Sequence, residues 1–264
     1  RTVAVAETGT IGVPLDIEAV TTGVLEAAEG LSAEGGEDFA QAIMTTDSGP
    51  KRCTVRAGGV TVSAQAKGAG MIEPGFATML CFVQTDAEVP DPESALRPAL
   101  AKSLERITVD GQMSTNDTVL LQASGTAGAP LPAGLLDAVL LQLALEIVAD
   151  GEGATRVGRV EVNGAADEGE AERVARAIAN SPLVKTALFG RDSNWGRIAQ
   201  AAGMALAGEE LEELGPDRIQ AAELAADLPE AELSVNLGRG KADAHVYFSD
   251  LTHDYIRINA EYTT

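Results

Sequence analysis

Aromatic residues are scarce in this chain: Phe, Tyr and Trp make up 3% of its 264 residues. The core must therefore be built from Ala, Val, Leu and Ile. Apolar residues reach 45% of the whole, a composition that fits packed α/β layers. Cysteine is nearly absent. Cys53 and Cys81 are too few for a disulfide framework and form no C-x-x-C pair. Cys81, in the run M-L-C-F-V, reads as a small buried hydrophobe. The two histidines, His245 and His253, lie far from Cys or carboxylate clusters, so no metal site is expected. Positive charge is also short. Nineteen Lys and Arg face 40 Asp and Glu, a net charge of −21. Nucleic acid and anionic membrane surfaces are thus poor partners, since both need clustered Lys and Arg, and the acidity reads as a contribution to solubility. No apolar run reaches membrane-spanning length, and no secretory signal opens the chain. A soluble cytoplasmic protein is the expectation. Neither a G-x-x-x-x-G-K-[ST] phosphate cradle nor a dinucleotide fingerprint is present, so no bound cofactor is expected either.

The length allows one large or two modest domains. Arg1 to Ala6 alternates like a strand that ends at the turn Glu7-Thr8-Gly9. Helical spacing runs over Ile17 to Ala28 and again over Asp38 to Met44, with a Gly/Glu-rich connection between them. Cys53 to Ala66 reads as a β-hairpin turning at Gly58-Gly59. Met79 to Val83 and Val119 to Ala123 read as buried strands. Pro92 to Arg106 reads as a helix that Pro98 either kinks or begins, and Leu135 to Val148 as a largely buried one. Then come strand Val157 to Val162, helix Glu170 to Asn180, strand Leu183 to Phe189 and helix Asn194 to Ala207. Strands over Glu232 to Leu237 and Ala244 to Phe248, joined as a hairpin by Gly238-Arg239-Gly240, and over Asp254 to Tyr262 complete the pattern. Strands and helices both alternate and cluster, which predicts a layered α/β or α+β body rather than a doubly wound sheet. A boundary is expected near residue 150, dividing 1–150 from 151–264.

The most informative segment is K-G-A-G-M-I-E-P-G-F-A-T-M-L-C-F, Lys67 to Phe82. Behind a Gly-rich loop and before an apolar run, Thr78 follows the small residue Ala77. A threonine so placed can attack the carbonyl before it and cleave its own peptide bond. It then carries both a nucleophilic hydroxyl and a free α-amine to act as base. With histidine scarce and no Ser/His/Asp arrangement evident, a self-sufficient nucleophile is the economical reading. Taken alone, an Ala-Thr pair is far more often the start of a buried strand.

The surrounding motifs change that balance. E-T-G-T-I-G (Glu7 to Gly12), A-I-M-T-T-D (Ala42 to Asp47), T-V-D-G-Q-M-S-T-N-D-T (Thr108 to Thr118), D-G-E-G-A-T (Asp150 to Thr155), L-V-K-T-A-L-F-G-R-D-S-N-W-G-R (Leu183 to Arg197) and D-L-T-H-D-Y-I-R-I-N-A-E-Y-T-T (Asp250 to Thr264) occur in family order. Together they resemble the ornithine acetyltransferase (glutamate N-acetyltransferase) family, of N-terminal-nucleophile type. The resemblance spans nearly the whole chain and implies that about the first hundred residues of the family's usual length are lacking here. It implies an αββα-type layered sandwich with a smaller C-terminal lobe and self-cleavage between Ala77 and Thr78 into fragments of 77 and 187 residues. An α2β2 assembly of those fragments is implied as well. The implied chemistry is ping-pong acetyl transfer from N-acetylornithine to glutamate within arginine biosynthesis, with N-acetylornithine, ornithine and glutamate as small-molecule partners and neither metal nor cofactor.

The same resemblance assigns Thr78 as nucleophile and Thr8 with Gly9 as oxyanion hole. It assigns Lys67 to the substrate carboxylate and Glu152 to an ornithine ammonium. Thr45 or Thr46, Asn259 and Thr264 are the remaining substrate contacts. Asn259 and Thr264 sit near the chain end, so their roles require the tail to fold back over the site. Asn116-Asp117 and Asn194 to Arg197 are assigned to scaffolding, with the lone Trp195 as a packed anchor. The chain departs from the family pattern at Gln112, where an acidic residue is usual, and at Gly75-Phe76, where Asn-Met is usual. The resemblance therefore leaves acyl and acceptor preference open. Two other readings stand beside it: an aminopeptidase or amidohydrolase using Thr78 with water as acceptor, and an uncleaved metabolite-binding relative.

Overall fold

The structure is a computed structural model, and it describes residues 3–10, 12–73, 79–114, 116–209 and 213–261. Residues 3–10 form no regular element. Val3 and Val5 are exposed, and no neighbouring strand takes up their N–H and C=O groups, so the expected first strand does not form. Helix α1 (Ile17–Glu29) starts at Asp16, whose side chain accepts from the Glu18 and Ala19 N–H groups. It buries none of its residues. The short helix α2 (Gly36–Ala42) follows. Strands β1 (Lys51–Ala57) and β2 (Val60–Lys67) make the expected hairpin. Its turn residues Gly58 and Gly59 both have positive φ, +60° and +81°, as a tight two-residue hairpin turn requires.

Strand β3 (Leu80–Thr85) runs antiparallel to β2. Asp91 caps α3 (Pro92–Ala101), which contains Pro98 within it; a 3-10 turn at Leu104–Arg106 and the two-residue strand β4 (Ile107–Thr108) come next. Strand β5 (Thr118–Ala123) closes the first sheet, whose order is β1-β2-β3-β5, with β3 and β5 parallel. As an edge strand β5 is half-exposed, not buried as its apolar sequence suggested. Helix α4 (Leu135–Ala149) packs on β1 and β2 and reaches the second sheet. Its Leu136, Val139, Leu140, Leu143, Ile147 and Val148 are buried in the first core. Each such side chain contributes roughly 1.5–3 kcal/mol by leaving water.

The second half, with β4 from the first, builds a five-stranded sheet in the order β4-β9-β6-β8-β7. Its elements are β6 (Val157–Ala165), α5 (Glu168–Ala179), α6 (Pro182–Gly190), α7 (Trp195–Ala205), β7 (Ile219–Gln220), β8 (Glu230–Asn236), β9 (Ala242–Ser249) and α8 (His253–Glu261). Three expectations change here. Leu183 to Phe189 is helix, not strand: Ser181 accepts from the Val184 N–H and Pro182 stands at the first helical position, a helix start that outweighs the apolar run. Asp254 to Glu261 is helix too, because Thr252 accepts from the Tyr255 N–H and caps it. Tyr262 lies outside the described residues. Finally, Gly238 to Gly240 does not join a hairpin. Strands β8 and β9 lie on opposite sides of β6, parallel and antiparallel to it. Phe248 fixes that arrangement by filling the space at Gly158, where a Cβ would meet its ring at 2.4 Å.

Helices α5 and α7 cover this sheet around a second core that includes Val160, Val162, Val174, Ile178, Ile198, Leu233, Val246 and Phe248. Arg156 is buried beside it and donates to the carbonyls of Leu188, Glu223, Leu224, Ala226 and Leu228, tying the irregular stretch 222–228 to the sheet. The whole is the layered α/β (α+β) architecture that the resemblance implies. Among the described residues no helix is long and apolar enough to cross a membrane.

Candidate active site

One end of the first sheet gathers the residues of interest. Lys67, the last residue of β2, pairs with Leu80, the first of β3, and Leu80 pairs with Thr118, the first of β5. The Thr118 N–H also bonds the Met79 carbonyl at 3.0 Å. The chain thus enters β3 between the ends of two other strands. Ala77 and Thr78, which lead into this point in sequence, lie outside the described residues, as does Thr264.

Lys67 is buried, and its Nζ lies 3.3 Å from Thr8 Oγ1 and 3.4 Å from Thr45 Oγ1. Three of the sequence-assigned residues, from three separate segments, thereby meet. Thr46 is half-buried beside Thr45 and outside this group of contacts. Burial pushes the Lys67 ammonium below its ordinary value, as does Lys51, while Asp47 and Asp117 pull it back up.

Asp47 explains the placement. Its Oδ1 accepts from the Gly68 N–H at 2.7 Å and Lys51 Nζ at 2.6 Å, and its Oδ2 from the Thr45 N–H at 3.1 Å. Burial raises this carboxyl, but the Gly68 N–H, Lys51 and the Thr45 N–H together hold it below the usual range. Lys51 also pairs with Asp150 at 2.5 Å, and Asp150 in turn accepts from Ser48. Sequence reasoning passed over this buried set, Asp47–Lys51–Asp150. Asp47 and Asp150 lay inside quoted motifs, so the signal was a charge in a segment that folds inward.

The loop after Lys67 is fixed by a second group. The Glu152 N–H donates to the Ala69 carbonyl at 2.8 Å, and its carboxylate lies where a Cβ on Gly70 would be, 2.5 Å away. Gly70 is needed for that approach. Asn259 Nδ2, on α8, donates to Glu152 Oε2 at 2.8 Å, so the C-terminal helix does return to this turn. Asp110 accepts from the Met71 and Ile72 N–H groups at 2.7 and 3.0 Å and stands beside Tyr255. Burial pushes the Asp110 carboxyl up despite those bonds, with Glu152 adding to the rise. The Tyr255 hydroxyl is pushed up to about 12, first by burial and then by Asp110 and Glu152. Here too Asp110 and Tyr255 were not singled out from the sequence.

Gly9 faces open space, and with Glu7, Thr10, Gly12 and Asn116 it borders a cavity of about 390 Å³. Asn116 donates to Glu7 at 2.8 Å. A larger cavity, about 860 Å³, lies between α4 and the second sheet beside Glu146, Arg159, Glu232 and Tyr247; it contains none of the assigned residues. Trp195 is exposed rather than a packed anchor. Among the described residues no group of His, Cys, Asp and Glu is arranged to hold a metal ion.

A layered α/β body with a buried lysine, hydroxyls and a carboxylate gathered at one strand entrance is the frame of an enzyme for small polar substrates. A family model described as the ArgJ family matches residues 1–264. The arginine biosynthesis bifunctional protein ArgJ of Symbiobacterium thermophilum is 45% identical over 297 residues, covering 98% of this chain and 72% of that protein. The protein of the same name from Geobacter sulfurreducens is also 45% identical, covering 99% and 75%. The crystal structure of arginine biosynthesis bifunctional protein ArgJ from Bacillus halodurans is similar at 38% identity with a TM-score of 0.60, covering 69% of this chain and 98% of that one. The chain belongs to the ArgJ family.

Proposed function

We propose that this chain works through a covalent ester on Thr78, exposed as a new N-terminus by cleavage of the Ala77–Thr78 bond. The activity is its family's: glutamate N-acetyltransferase, moving an acetyl group from N-acetylornithine to glutamate. In maturation the Thr78 hydroxyl adds to the Ala77 carbonyl carbon. The C–N bond breaks as its nitrogen gains the proton, and water hydrolyses the resulting ester to an Ala77 carboxylate and a free Thr78.

In turnover the Thr78 α-amine takes the hydroxyl proton as the oxygen attacks the acetyl carbon of N-acetylornithine. An α-amine has a pKa of about 8 without large tuning, so part of it is neutral near neutrality. The tetrahedral oxyanion receives the Thr8 hydroxyl and the Gly9 N–H. Collapse returns the proton to the leaving nitrogen and releases ornithine. The glutamate α-amine then attacks the acyl-Thr78 ester, leaving N-acetylglutamate and the starting enzyme. The two amides are alike in energy, so positioning and exclusion of water carry the catalysis.

Donor and acceptor both bear an α-carboxylate, for which Lys67 is the counter-charge. Glu152, with Asn259 across it, takes the side-chain ammonium of ornithine. Thr45, Thr46 and Thr264 complete the substrate contacts. The reading rests above all on Thr8, Thr45 and Lys67 meeting at the entrance to β3, two residues after Thr78. A further support is proportion. The solved relative's chain is covered almost whole by 69% of this one, and the segment from Thr78 to the end is 187 of 264 residues. We also read the chain as two parts, 1–150 and 151–264, acting in the cytoplasm as an α2β2 assembly of the two fragments.

Intact mass and N-terminal sequencing of the purified protein test this. A fragment beginning Thr-Met-Leu is expected, and Thr78→Ala abolishes both cleavage and transfer, while Thr78→Ser keeps part of each. A single uncleaved species that still transfers acetyl groups overturns the mechanism. Free acetate without N-acetylglutamate, from acetylornithine and glutamate, points to the hydrolase instead.

A further inference from the structure

The chain just before the scissile segment is held by the other half of the molecule. Glu73 is the last described residue before Thr78. Its Oε1 accepts from Arg176 Nη1 at 3.0 Å, and its Oε2 from Asn180 Nδ2 at 3.0 Å. Arg176 lies on α5 and Asn180 caps its C-terminal end. Asn180 Oδ1 in turn accepts from Thr108 Oγ1 at 2.7 Å, and that hydroxyl sits 3.0 Å from the Ile72 carbonyl. The Ile72 N–H is held by Asp110 and the Ile72 carbonyl also by the Val109 N–H. A ring of polar contacts thus surrounds the Ile72–Glu73 peptide, the Thr108 hydroxyl having one hydrogen to give to either Asn180 or Ile72. Gly111, at φ +70°, lets the ring close, since a Cβ there would press on the Asn180 amide at 3.2 Å.

Arg176 is fixed on its own side by Glu172 on the same helix. Neighbouring α5 residues Val174, Ala175, Ile178 and Ala179 belong to the second core. On the far side of the scissile segment, Met79 and Leu80 are fixed by Thr118 and Lys67. Both ends of the span from Glu73 to Met79 are therefore anchored, one of them by a helix whose apolar side is packed in the second core.

We infer that Glu73, Arg176 and Asn180 are positioning residues for self-cleavage and make it wait for α5 to dock. The inference rests on the cleavage reading given above. An attacking oxygen must reach its own preceding carbonyl at near-contact distance and a fixed angle, and a misplacement of 1 Å costs on the order of 100-fold. Loosening Glu73 removes that constraint from one end while leaving the nucleophile intact. The ring lies on the processing loop rather than on the substrate contacts, so its loss slows maturation and spares the matured enzyme.

The test follows the uncleaved band of the full chain against time after a pulse of synthesis. Glu73→Gln keeps the shape and removes the charge, and Asn180→Ala removes the amide. Each is expected to slow cleavage about tenfold or more, with a melting temperature close to wild type and a wild-type kcat per cleaved molecule. Arg176→Lys retains one donor and recovers most of the rate lost in Arg176→Met. Cleavage at the wild-type rate in Glu73→Gln and Asn180→Ala overturns the proposal. So does a parallel loss of melting temperature, cleavage and kcat, which marks a purely structural role. If wild type itself stays uncleaved, the cleavage reading fails and takes this proposal with it.

Discussion

The two terminal helices, α1 and α8, bury none of their residues, yet they are attached in opposite ways. Helix α1 shows Ile17, Val20, Val24 and Leu25 to solvent, and among the described residues the chain before it meets the body through Glu7 with Asn116 and Thr8 with Lys67. Helix α8 is bolted to the turn 150–155. Asp250 accepts from the Thr155 N–H and hydroxyl, Thr252 donates to the Gly153 carbonyl, and Asn259 donates to Glu152. Burial and attachment are thus separate properties. A helix that must present one side chain to a site can be held by directed polar bonds at its start, with its length left in water. Helix α1, by contrast, leaves its apolar side chains exposed.

The largest expected effects come where each arm meets the site. Thr8→Val keeps the shape of the N-terminal arm and removes its hydroxyl. Losing one oxyanion donor costs about 3 kcal/mol, so kcat falls roughly 100-fold with little change in melting temperature. A kcat within twofold of wild type removes Thr8 from the chemistry.

Lys185 probes the ground under α8. Its Nζ donates to Ser249, and its carbonyl accepts from the Leu251 N–H, on either side of Asp250. Burial pushes its ammonium down to about 8 from an ordinary 10.5. Between those values the folded protein binds fewer protons than the unfolded chain, so stability rises with pH across the window and is lost as pH falls through about 8. The shift corresponds to about 3 kcal/mol. As pH rises from 8 towards 10.5, denaturant melts should show wild type gaining stability relative to Lys185→Met; a constant gap refutes the lowered Lys185 ammonium.

Gly153→Ala attacks the seat itself. Gly153 has φ +67°, and a Cβ there would lie 2.4 Å from the Tyr255 nitrogen. The strain and the shift of α8 together cost about 2 kcal/mol and draw Asn259 away from Glu152, which raises KM for acetylornithine more than it lowers kcat. By contrast, Leu25→Ser on α1 should change stability by less than about 0.5 kcal/mol. A larger loss in urea melts means that the apolar side of α1 is covered in solution.

The same two helices show what the sequence could and could not disclose. Helix α1 was legible because Ile17 to Ala28 keeps a regular helical spacing. Helix α8 was misread as a strand because its Ile256, Ile258 and Ala260 mimic alternation, and its start signal is a single threonine hydroxyl. At α6 a cap and a proline were overlooked in favour of an apolar run. The β1–β2 turn announced itself through two adjacent glycines, whereas the β8–β9 link shows equally good turn chemistry and joins strands separated by β6. Local residues specify a turn; they do not say which strand lies between its arms.

In the site, Thr8, Thr45 and Lys67 were readable from motifs. The charges around them, Asp47, Lys51 and Asp150, and Asp110 under the loop after Lys67, were not. Their meaning depends on partners 21 residues away in the chain for Asp47 and Gly68, 39 for Asp110 and Met71, and 99 for Lys51 and Asp150.

The five carbonyls around Arg156 carry a consequence for behaviour in brine. Dissolved ions screen exposed pairs such as Arg97 with Glu93 and relieve the mutual repulsion of a −21 surface. A buried guanidinium bonded to carbonyls, though Arg191, Asp250 and Asp227 act on it, offers them less to act on than an exposed pair. The clasp on 222–228 should keep its grip at ionic strengths that have already loosened the rim.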